Sequence, residues 1–254
     1  MAINLHQQGF FEKAEEIYLQ LLERHPEEKE IIYFFALIAI ETNNNLIATN
    51  WLQQYLSVDQ KNSDGYYLLG NLFKEENRFD KAIQAYQQAI AIDASRPEYY
   101  NNLGNLLYAT FDDTRAYKAF EKAIILAPNF TEAYCGLARI LLNTGEFETA
   151  ISICQKALRI NPNYFGIYDN LENIFREIGH LDKSISFLKK GLEVSPDNPS
   201  QHANLGMTYL QKGELKKGWP LFERRLEIKG KYGENERSKW KGENLNKTAY
   251  SLVL

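Results

Sequence analysis

The sequence has 254 residues and a formal net charge of -4. Hydrophobic residues make up 44% of it and charged residues 24%, which is the composition of a globular protein and excludes a mainly disordered chain. Because the balance of charge is slightly acidic, it gives no overall basic footprint for nucleic acid or anionic lipid, and it disfavours both as partners.

The two cysteines, Cys135 and Cys154, are too few for a disulfide framework, and their spacing matches no zinc-binding motif. The first residues show no basic region followed by an apolar run and a cleavage site. No segment contains the roughly 18 consecutive apolar residues of a membrane helix. The sequence therefore predicts a cytoplasmic protein without membrane insertion.

A pattern of about 34 residues recurs along the chain and is most complete in residues 131–164. Apolar and small residues recur there at helical spacing on both sides of Gly145, which predicts two helices joined by a turn. Residues 1–28 fit the pattern as a unit without its first turn, and further units are expected to begin near Lys29, Ser63, Pro97, Thr131, Phe165 and Pro199. We predict that this array occupies residues 1–232, and positions within a unit are counted from Thr131 as position 1.

Position 15 is expected to end the first helix of each unit in a left-handed conformation, which glycine and asparagine tolerate best. It holds Gly9, Asn43, Asn77, Gly145, Gly179 and Gly213. Phe111 is the exception, and we expect its hairpin to turn by another geometry, with Asp112 as an N-cap candidate for the next helix.

Small residues hold the sites where the two helices of a unit are expected to cross. Position 8 holds Ala36, Gly70, Gly104, Ala138 and Gly206, and position 20 holds Ala14, Ala48, Ala82, Ala116 and Ala150. Glu172 stands at position 8 of its unit, where we expect a longer, charged side chain to widen the contact or to extend out of it.

The pattern changes toward the C-terminus. In the last unit Gly218 replaces alanine at position 20, and Pro220 falls where a helix interior is usual, which indicates a late helix start or a kink. After Lys231 the sequence becomes polar, and residues 249–254 have the apolar character of a β-strand. We interpret residues 233–254 as a junction to a further domain, and the polypeptide as a fragment of a longer protein.

The repeat length, the small residues in both helices and the closing prolines resemble the tetratricopeptide repeat (TPR). These prolines are Pro26, Pro128, Pro162 and Pro196. The resemblance implies an all-α fold, a right-handed superhelical solenoid of antiparallel helix pairs with a short irregular C-terminal segment. It also implies a protein or peptide as partner, and it leaves the oligomeric state open.

A second resemblance concerns residues 213–226 and the Trp-Lys-Gly-Glu run at residues 240–243. These elements are similar to the junction of a bacterial family in which a TPR array leads into a glycosyltransferase-like domain. The resemblance implies that the chain is the N-terminal targeting region of such a protein. The alternative is that it presents the acceptor to an active nucleotide-sugar-dependent glycosyltransferase, whose catalytic residues would lie beyond Leu254.

Asparagines of the first helices resemble those of protein O-linked N-acetylglucosamine transferases, which line an inner groove. Asn102 and Asn105 carry the full pattern, and positions 2, 5, 6, 9, 12 and 13 are expected to face the inner side of stacked helix pairs. The residues expected to contact a peptide there are Tyr33, Leu37, Tyr67, Asn71, Asn101, Asn102, Asn105, Arg139, Asp169, Asn170, Asn173 and Asn204.

A side-chain amide offers both donors and an acceptor, so a row of amides can pair with the backbone of an extended peptide. For the polar residues the alternative is a set of solvated helix faces without a ligand. For the apolar residues near the N-terminus the alternative to a contact site is burial as core.

Catalytic motifs are absent from the sequence, which has no P-loop, HExxH, GxSxG or GxGxxG. The histidines lie in different units at different positions and are not expected to converge; they are His6, His25, His180 and His202. We therefore predict no catalytic residue, no metal site and no cofactor, and a function in binding a protein or peptide.

Overall fold

The computed structural model describes residues 1–25 and 28–227. The closing proline Pro26 and the predicted junction over residues 233–254 lie outside the described residues. Within the described part the chain forms fourteen α-helices followed by a short 3-10 helix, and it contains no strand. The all-α fold that the sequence predicts is confirmed.

The helices come in consecutive pairs of a first and a second helix. They are α1 (Ala2–Gln7), α2 (Phe11–Arg24), α3 (Lys29–Glu41), α4 (Asn45–Val58), α5 (Ser63–Glu75), α6 (Phe79–Ile92), α7 (Pro97–Ala109), α8 (Asp113–Leu126), α9 (Thr131–Asn143), α10 (Phe147–Ile160), α11 (Phe165–Glu177), α12 (Leu181–Val194), α13 (Pro199–Gln211) and α14 (Leu215–Phe222). The 3-10 helix spans Glu223–Glu227.

The chain divides into two compact units, Met1–Ile140 and Leu141–Leu254, with the boundary inside α9. From here on, the first and the second unit mean these two parts of the chain, and the units of about 34 residues are called repeats. In the first unit each helix from α1 to α8 packs against the next one in chain order. In the described part of the second unit α10 to α14 pack in the same way, and the 3-10 helix contacts α13 and α14. Each of these helices therefore buries its apolar face against its neighbours in sequence.

The turns within the pairs share one backbone conformation. Glycines at position 15 have φ between 77° and 83°, and Asn43 and Asn77 have φ of 57° and 59°, as expected. The prediction for Phe111 was wrong, because its φ is 63° and its turn follows the same geometry. Asp112 is confirmed as an N-cap, since its side chain accepts a hydrogen bond from Arg115 N. The packing of the helix pair overrides the intrinsic cost of this conformation for an aromatic residue.

Small residues allow the helices of a pair to approach. The alanines at position 20, from Ala14 to Ala150, have no exposed surface. A Cβ atom placed on Gly104 would meet the ring of Phe120 at 2.9 Å, and one placed on Gly136 would overlap the same ring. Gly136 stands where three other repeats have asparagine, and the Phe120 ring occupies the space that such a side chain would need.

The last helix pair packs backbone against backbone. A Cβ atom on Gly206 would overlap the backbone of Phe222, and one on Gly218 would meet Leu210 at 2.6 Å. Pro220 lies inside α14, two residues before the helix gives way to the 3-10 turn. Glycine in place of alanine at position 20 therefore brings α14 close to α13, and the proline ends the α-helical hydrogen bonding soon afterwards.

Candidate functional site

Two open cavities lie on the first helices of the first unit. The first, here called the α1–α3 cavity, has a volume of about 330 Å³ and is lined by Ile3, His6, Gln7, Gly9, Phe11, Phe34, Leu37 and Glu41. The second, here called the α3–α7 cavity, has a volume of about 350 Å³ and is lined by Ile40, Asn43, Asn45, Leu68, Asn71, Leu72, Lys74, Glu75 and Asn102.

A hydrogen-bonded network fixes two of the predicted asparagines in the α3–α7 cavity. Asn71 Oδ1 accepts hydrogen bonds from Tyr86 Oη at 2.7 Å and from Asn102 Nδ2 at 3.0 Å. Asn102 Nδ2 also donates to Tyr67 Oη at 2.9 Å. Burial raises the pKa of Tyr86, so its hydroxyl stays protonated and remains a donor.

Within this network the amide nitrogen of Asn71 and the amide oxygen of Asn102 form no hydrogen bond with another described residue. The Asn71 oxygen is engaged twice, so its Nδ2 is available, and Asn102 uses its Nδ2, so its Oδ1 is available. Both residues line the same cavity and are half-buried. The arrangement offers a fixed donor beside a fixed acceptor, which matches the pair of groups on a peptide backbone.

A second polar pair lies one repeat further along the first unit. Arg139 Nη2 donates a hydrogen bond to Asn105 Oδ1 at 3.0 Å, and the guanidinium carbon lies 4.4 Å from the centre of the Tyr108 ring. Both Asn105 and Arg139 are half-buried. The contact holds a positive charge in place beside the amide.

The predicted apolar contacts are neither fully exposed nor core residues. Tyr33 is half-buried and its ring lies 4.9 Å from that of Tyr55, while Tyr67 stacks on Tyr99 at 4.9 Å. Leu37 is half-buried and lines the α1–α3 cavity. Each of them keeps part of its surface accessible while the rest packs against a neighbouring helix.

Two predicted contact residues are enclosed by the protein. Asn101 is 7% exposed and Asn170 is 4% exposed. Helical position alone predicts an inner-face location for both, but each side chain lies within the packing between helices. They do not present an amide to a ligand in this conformation.

Two predicted residues of the second unit, Asp169 and Asn173, belong to a polar cluster. Asp169 Oδ1 accepts a hydrogen bond from Gln201 Nε2 at 3.0 Å, and the Asp169 carbonyl accepts one from Asn173 Nδ2 at 2.9 Å. The oxygen of Asn173 accepts a short hydrogen bond from Arg176. Burial raises the pKa of Asp169. Asn204 is half-buried on the next first helix, α13.

Glu172 was expected either to widen the helix contact or to extend out of it. The extension was wrong, because the residue is 0% exposed. Its Oε1 accepts a hydrogen bond from Ser184 Oγ at 3.3 Å and lies 3.4 Å from Arg176 Nε. Ser184 is at position 20, where the earlier repeats have alanine, and so supplies a polar partner. Burial raises the pKa of Glu172 to about 7, against the lowering effect of Arg176.

The pairing of His6 with Glu41 is a feature that was not predicted from the sequence. His6 is buried, and its Nε2 lies 3.1 Å from Glu41 Oε2. The two residues hold positions 12 and 13 of adjacent repeats, which are among the inner-face positions. These neighbouring inner-face positions were the signal from which the pair could have been predicted. The four histidines share no position with one another, so their own pattern does not reveal it.

The described residues contain no group of three or more histidine, cysteine, aspartate or glutamate side chains placed to hold a metal ion. Cys135 and Cys154 are thiols and do not form a disulfide. Among the helices of residues 1–25 and 28–227, none is long and apolar enough to cross a membrane.

Family models of the tetratricopeptide repeat match the middle of the chain. One, described as TPR repeat, matches residues 70–110, and two, described as tetratricopeptide repeat, match residues 97–130 and 131–164. No protein with a curated description matches the sequence. The predicted resemblance to TPR proteins is therefore confirmed.

Solved structures have a similar fold, and several of them are described as TPR proteins. The APC/C hetero-tetramer Cut9–Hcn1 gives a TM-score of 0.72 at 20% identity, covering 91% of this chain and 46% of that one. The type IV pilus biogenesis factor PilW gives 0.70 at 18% identity, covering 81% and 95%. YrrB, described as a TPR protein with an unusual peptide-binding site, gives 0.62 at 20% identity, covering 79% and 100%. The predicted TPR solenoid is thus confirmed.

Proposed function

From its tetratricopeptide repeats and its solenoid fold, we propose that the chain is a scaffold that holds an extended segment of a partner protein at the α3–α7 cavity. The observation that carries this proposal is the pair Asn71 and Asn102, whose amides are oriented by Tyr86 and Tyr67. An available donor on one amide and an available acceptor on the other complement the C=O and N–H of a peptide backbone.

The geometry favours backbone recognition over recognition of one particular side chain. The amides are held by hydrogen bonds within the protein, so little side-chain entropy is lost when a ligand binds. Apolar wall residues Leu68 and Leu72 line the same cavity and can cover an adjacent apolar side chain of the ligand. The likeness to YrrB, a TPR protein with a peptide-binding site, supports the same function.

The proposal is tested by selecting peptides from a displayed random library with the purified chain and measuring the affinity of the enriched peptides. Asn71→Ala together with Asn102→Ala is expected to weaken binding by roughly 30-fold, because each lost hydrogen bond is worth about 1 kcal/mol. The matched control is Asn50→Ala with Gln53→Ala, since both side chains are exposed on the second helix α4.

Unchanged binding by the double asparagine variant, with an unchanged melting curve, would contradict the proposal. The same result would favour the alternative that these asparagines form a solvated face without a ligand. Failure of the library to yield any enriched peptide would count against a peptide ligand altogether.

A second candidate function follows from the resemblance of residues 213–226 to the junction of glycosyltransferase-like proteins. This stretch forms a helix that contains Pro220 and is continued by a 3-10 turn that packs on α13. This packing supports a role as an end piece of the array. We infer that the chain is the N-terminal targeting region of a glycosyltransferase-like protein of the cytoplasm, and the alternative is that it presents the acceptor to an active transferase.

These two possibilities are separated by the gene and by activity. A reading frame that continues past Leu254 into a two-part nucleotide-sugar-binding domain supports the targeting role. Turnover of a nucleotide sugar by that longer product supports the acceptor-presenting role, and a stop codon after Leu254 contradicts both. Cell fractionation tests the cytoplasmic placement.

A further inference from the structure

The α1–α3 cavity combines apolar walls with one carboxylate. Its walls include the side chains of Ile3, Phe11, Phe34 and Leu37, and Glu41 lines the same cavity with a side chain that is 48% exposed. No lysine or arginine occurs among the described residues that line it. An apolar cavity with a single acidic group favours a ligand that has an apolar stem and a cationic end.

His6 holds the carboxylate in position. Its ring is enclosed by Phe11, Tyr18 and Phe34, with centroid distances of 5.8, 6.3 and 6.1 Å in edge-to-face geometry. With the ring fixed in this way, its Nε2 contacts Glu41 Oε2 at 3.1 Å. The other carboxylate oxygen, Oε1, is engaged by no described residue and is available to a ligand.

We propose that the α1–α3 cavity binds an arginine side chain of the partner segment. Arginine fits better than lysine because its planar guanidinium stacks on aromatic rings and presents several N–H donors, one of which can reach the available Oε1 of Glu41. The aliphatic stem lies along Phe34 and Leu37, and the guanidinium reaches Glu41. Among the described residues, His6 is the only one whose side chain contacts this carboxylate.

The position of this cavity links it to the α3–α7 cavity. Leu37 lines the first and Ile40 lines the second, and these residues are one turn apart on the same helix, α3. An extended segment whose backbone pairs with Asn71 and Asn102 can therefore place a nearby arginine against Glu41. This inference rests on the proposed function, because the arginine belongs to the bound segment.

The test uses three small probes with the same backbone: the N-acetyl, N-methylamide derivatives of arginine, citrulline and norleucine. Citrulline keeps the shape of arginine without the charge, and norleucine keeps only an apolar stem. Binding is followed by the NMR shifts of the Gln7 and Gly9 amides, which line the cavity. We expect arginine to bind at least fivefold more tightly than citrulline, and this advantage to shrink as salt is raised.

Glu41→Gln is expected to remove the advantage of arginine over citrulline, and Glu16→Gln, an exposed carboxylate on α2, is expected to keep it. Leu37→Trp is expected to fill the cavity and abolish the shifts with all three probes. Equal affinity for arginine and norleucine, an unaltered arginine preference in Glu41→Gln, or no shift at Gln7 and Gly9 would overturn the inference. Because library peptides are measured separately, their continued capture would show that only this inference has failed.

Discussion

Replacing Glu172 by glutamine is expected to remove a pH dependence of stability from the second unit. The carboxyl is fully buried and is contacted by Ser184 and Arg176. Its Oε2 has no hydrogen-bond partner among the described residues. An unsatisfied buried carboxylate is costly, so the protonated form is favoured in the folded protein.

The sign follows from proton binding. The folded-state pKa of about 7 lies above the ordinary value of 4.5, so between these values the folded state holds a proton that the unfolded state has released. Stability is therefore highest in acid and falls as the pH rises toward 7. Since one pKa unit corresponds to about 1.4 kcal/mol, the difference between these two pKa values corresponds to a loss of roughly 3 kcal/mol in the free energy of unfolding. The raised pKa of Asp169 acts in the same direction.

Segment-resolved hydrogen exchange is the suitable assay, because repeat arrays open in parts. After correction for intrinsic exchange, the amides of α11 and α12 in the parent protein are expected to lose about two orders of magnitude of protection between about pH 5 and about pH 8. Glu172→Gln is expected to show a much shallower profile over this range, with the remaining slope coming from Asp169. Glu193→Gln changes an exposed carboxylate on α12 and should behave as the parent does.

Parallel pH profiles for the parent protein and Glu172→Gln would refute this reasoning. That result would mean that Glu172 is ionised in the folded protein at all these pH values, with Arg176 and water compensating for its burial. A loss of protection in Glu172→Gln that is equal at both pH values would point to a packing defect instead.

Three further predictions concern packing and turns. Gly104→Leu is expected to destabilise the first unit by roughly 1–3 kcal/mol or more and to broaden its thermal unfolding, because even a Cβ atom there meets Phe120 at 2.9 Å; a sharp melt at the parental temperature would contradict this. Phe111→Asn is expected to raise the melting temperature and to increase the free energy of unfolding by about 1 kcal/mol, because φ is 63° at Phe111 and asparagine holds the same turn at Asn77. An unchanged or lower melting temperature would show that the aromatic side chain stabilises the turn. Gly206→Ala is expected to separate α14 from α13 and to expose the amides of α14 to faster exchange, since its Cβ would overlap the backbone of the facing helix; unchanged exchange would disprove the close packing.

Periodicity and backbone chemistry explain why so much of the fold could be predicted. Gly145 and Asn77 indicated left-handed turns because few other residues adopt that conformation without cost, and both are observed in it. Phe111 broke the rule, although it is 93% exposed and gains little from burial. Its backbone is set by the packing of α7 and α8, which is a tertiary constraint that the local sequence does not carry.

The candidate site was harder to predict, because helical position does not determine burial. Asn102 lines a cavity whereas Asn101, its neighbour in sequence, is enclosed. The pairing of Asn71 with Tyr86 depends on a contact between helices, and so does the burial of Glu172 beside Ser184. Such contacts depend on which side chains meet across two helices, and a pattern read along one helix does not contain that information.

Backbone recognition by Asn71 and Asn102 is tested most directly by replacing single amides of a library-selected peptide with esters. Each ester removes one N–H donor and leaves the side chains unchanged. One position is expected to lose roughly five- to tenfold in affinity, the worth of a hydrogen bond of about 1 kcal/mol, and Asn102→Ala is expected to abolish the difference between ester and amide at that position. The account would be contradicted if the loss of affinity caused by each ester were the same for Asn102→Ala as for the parent protein at every position of the peptide.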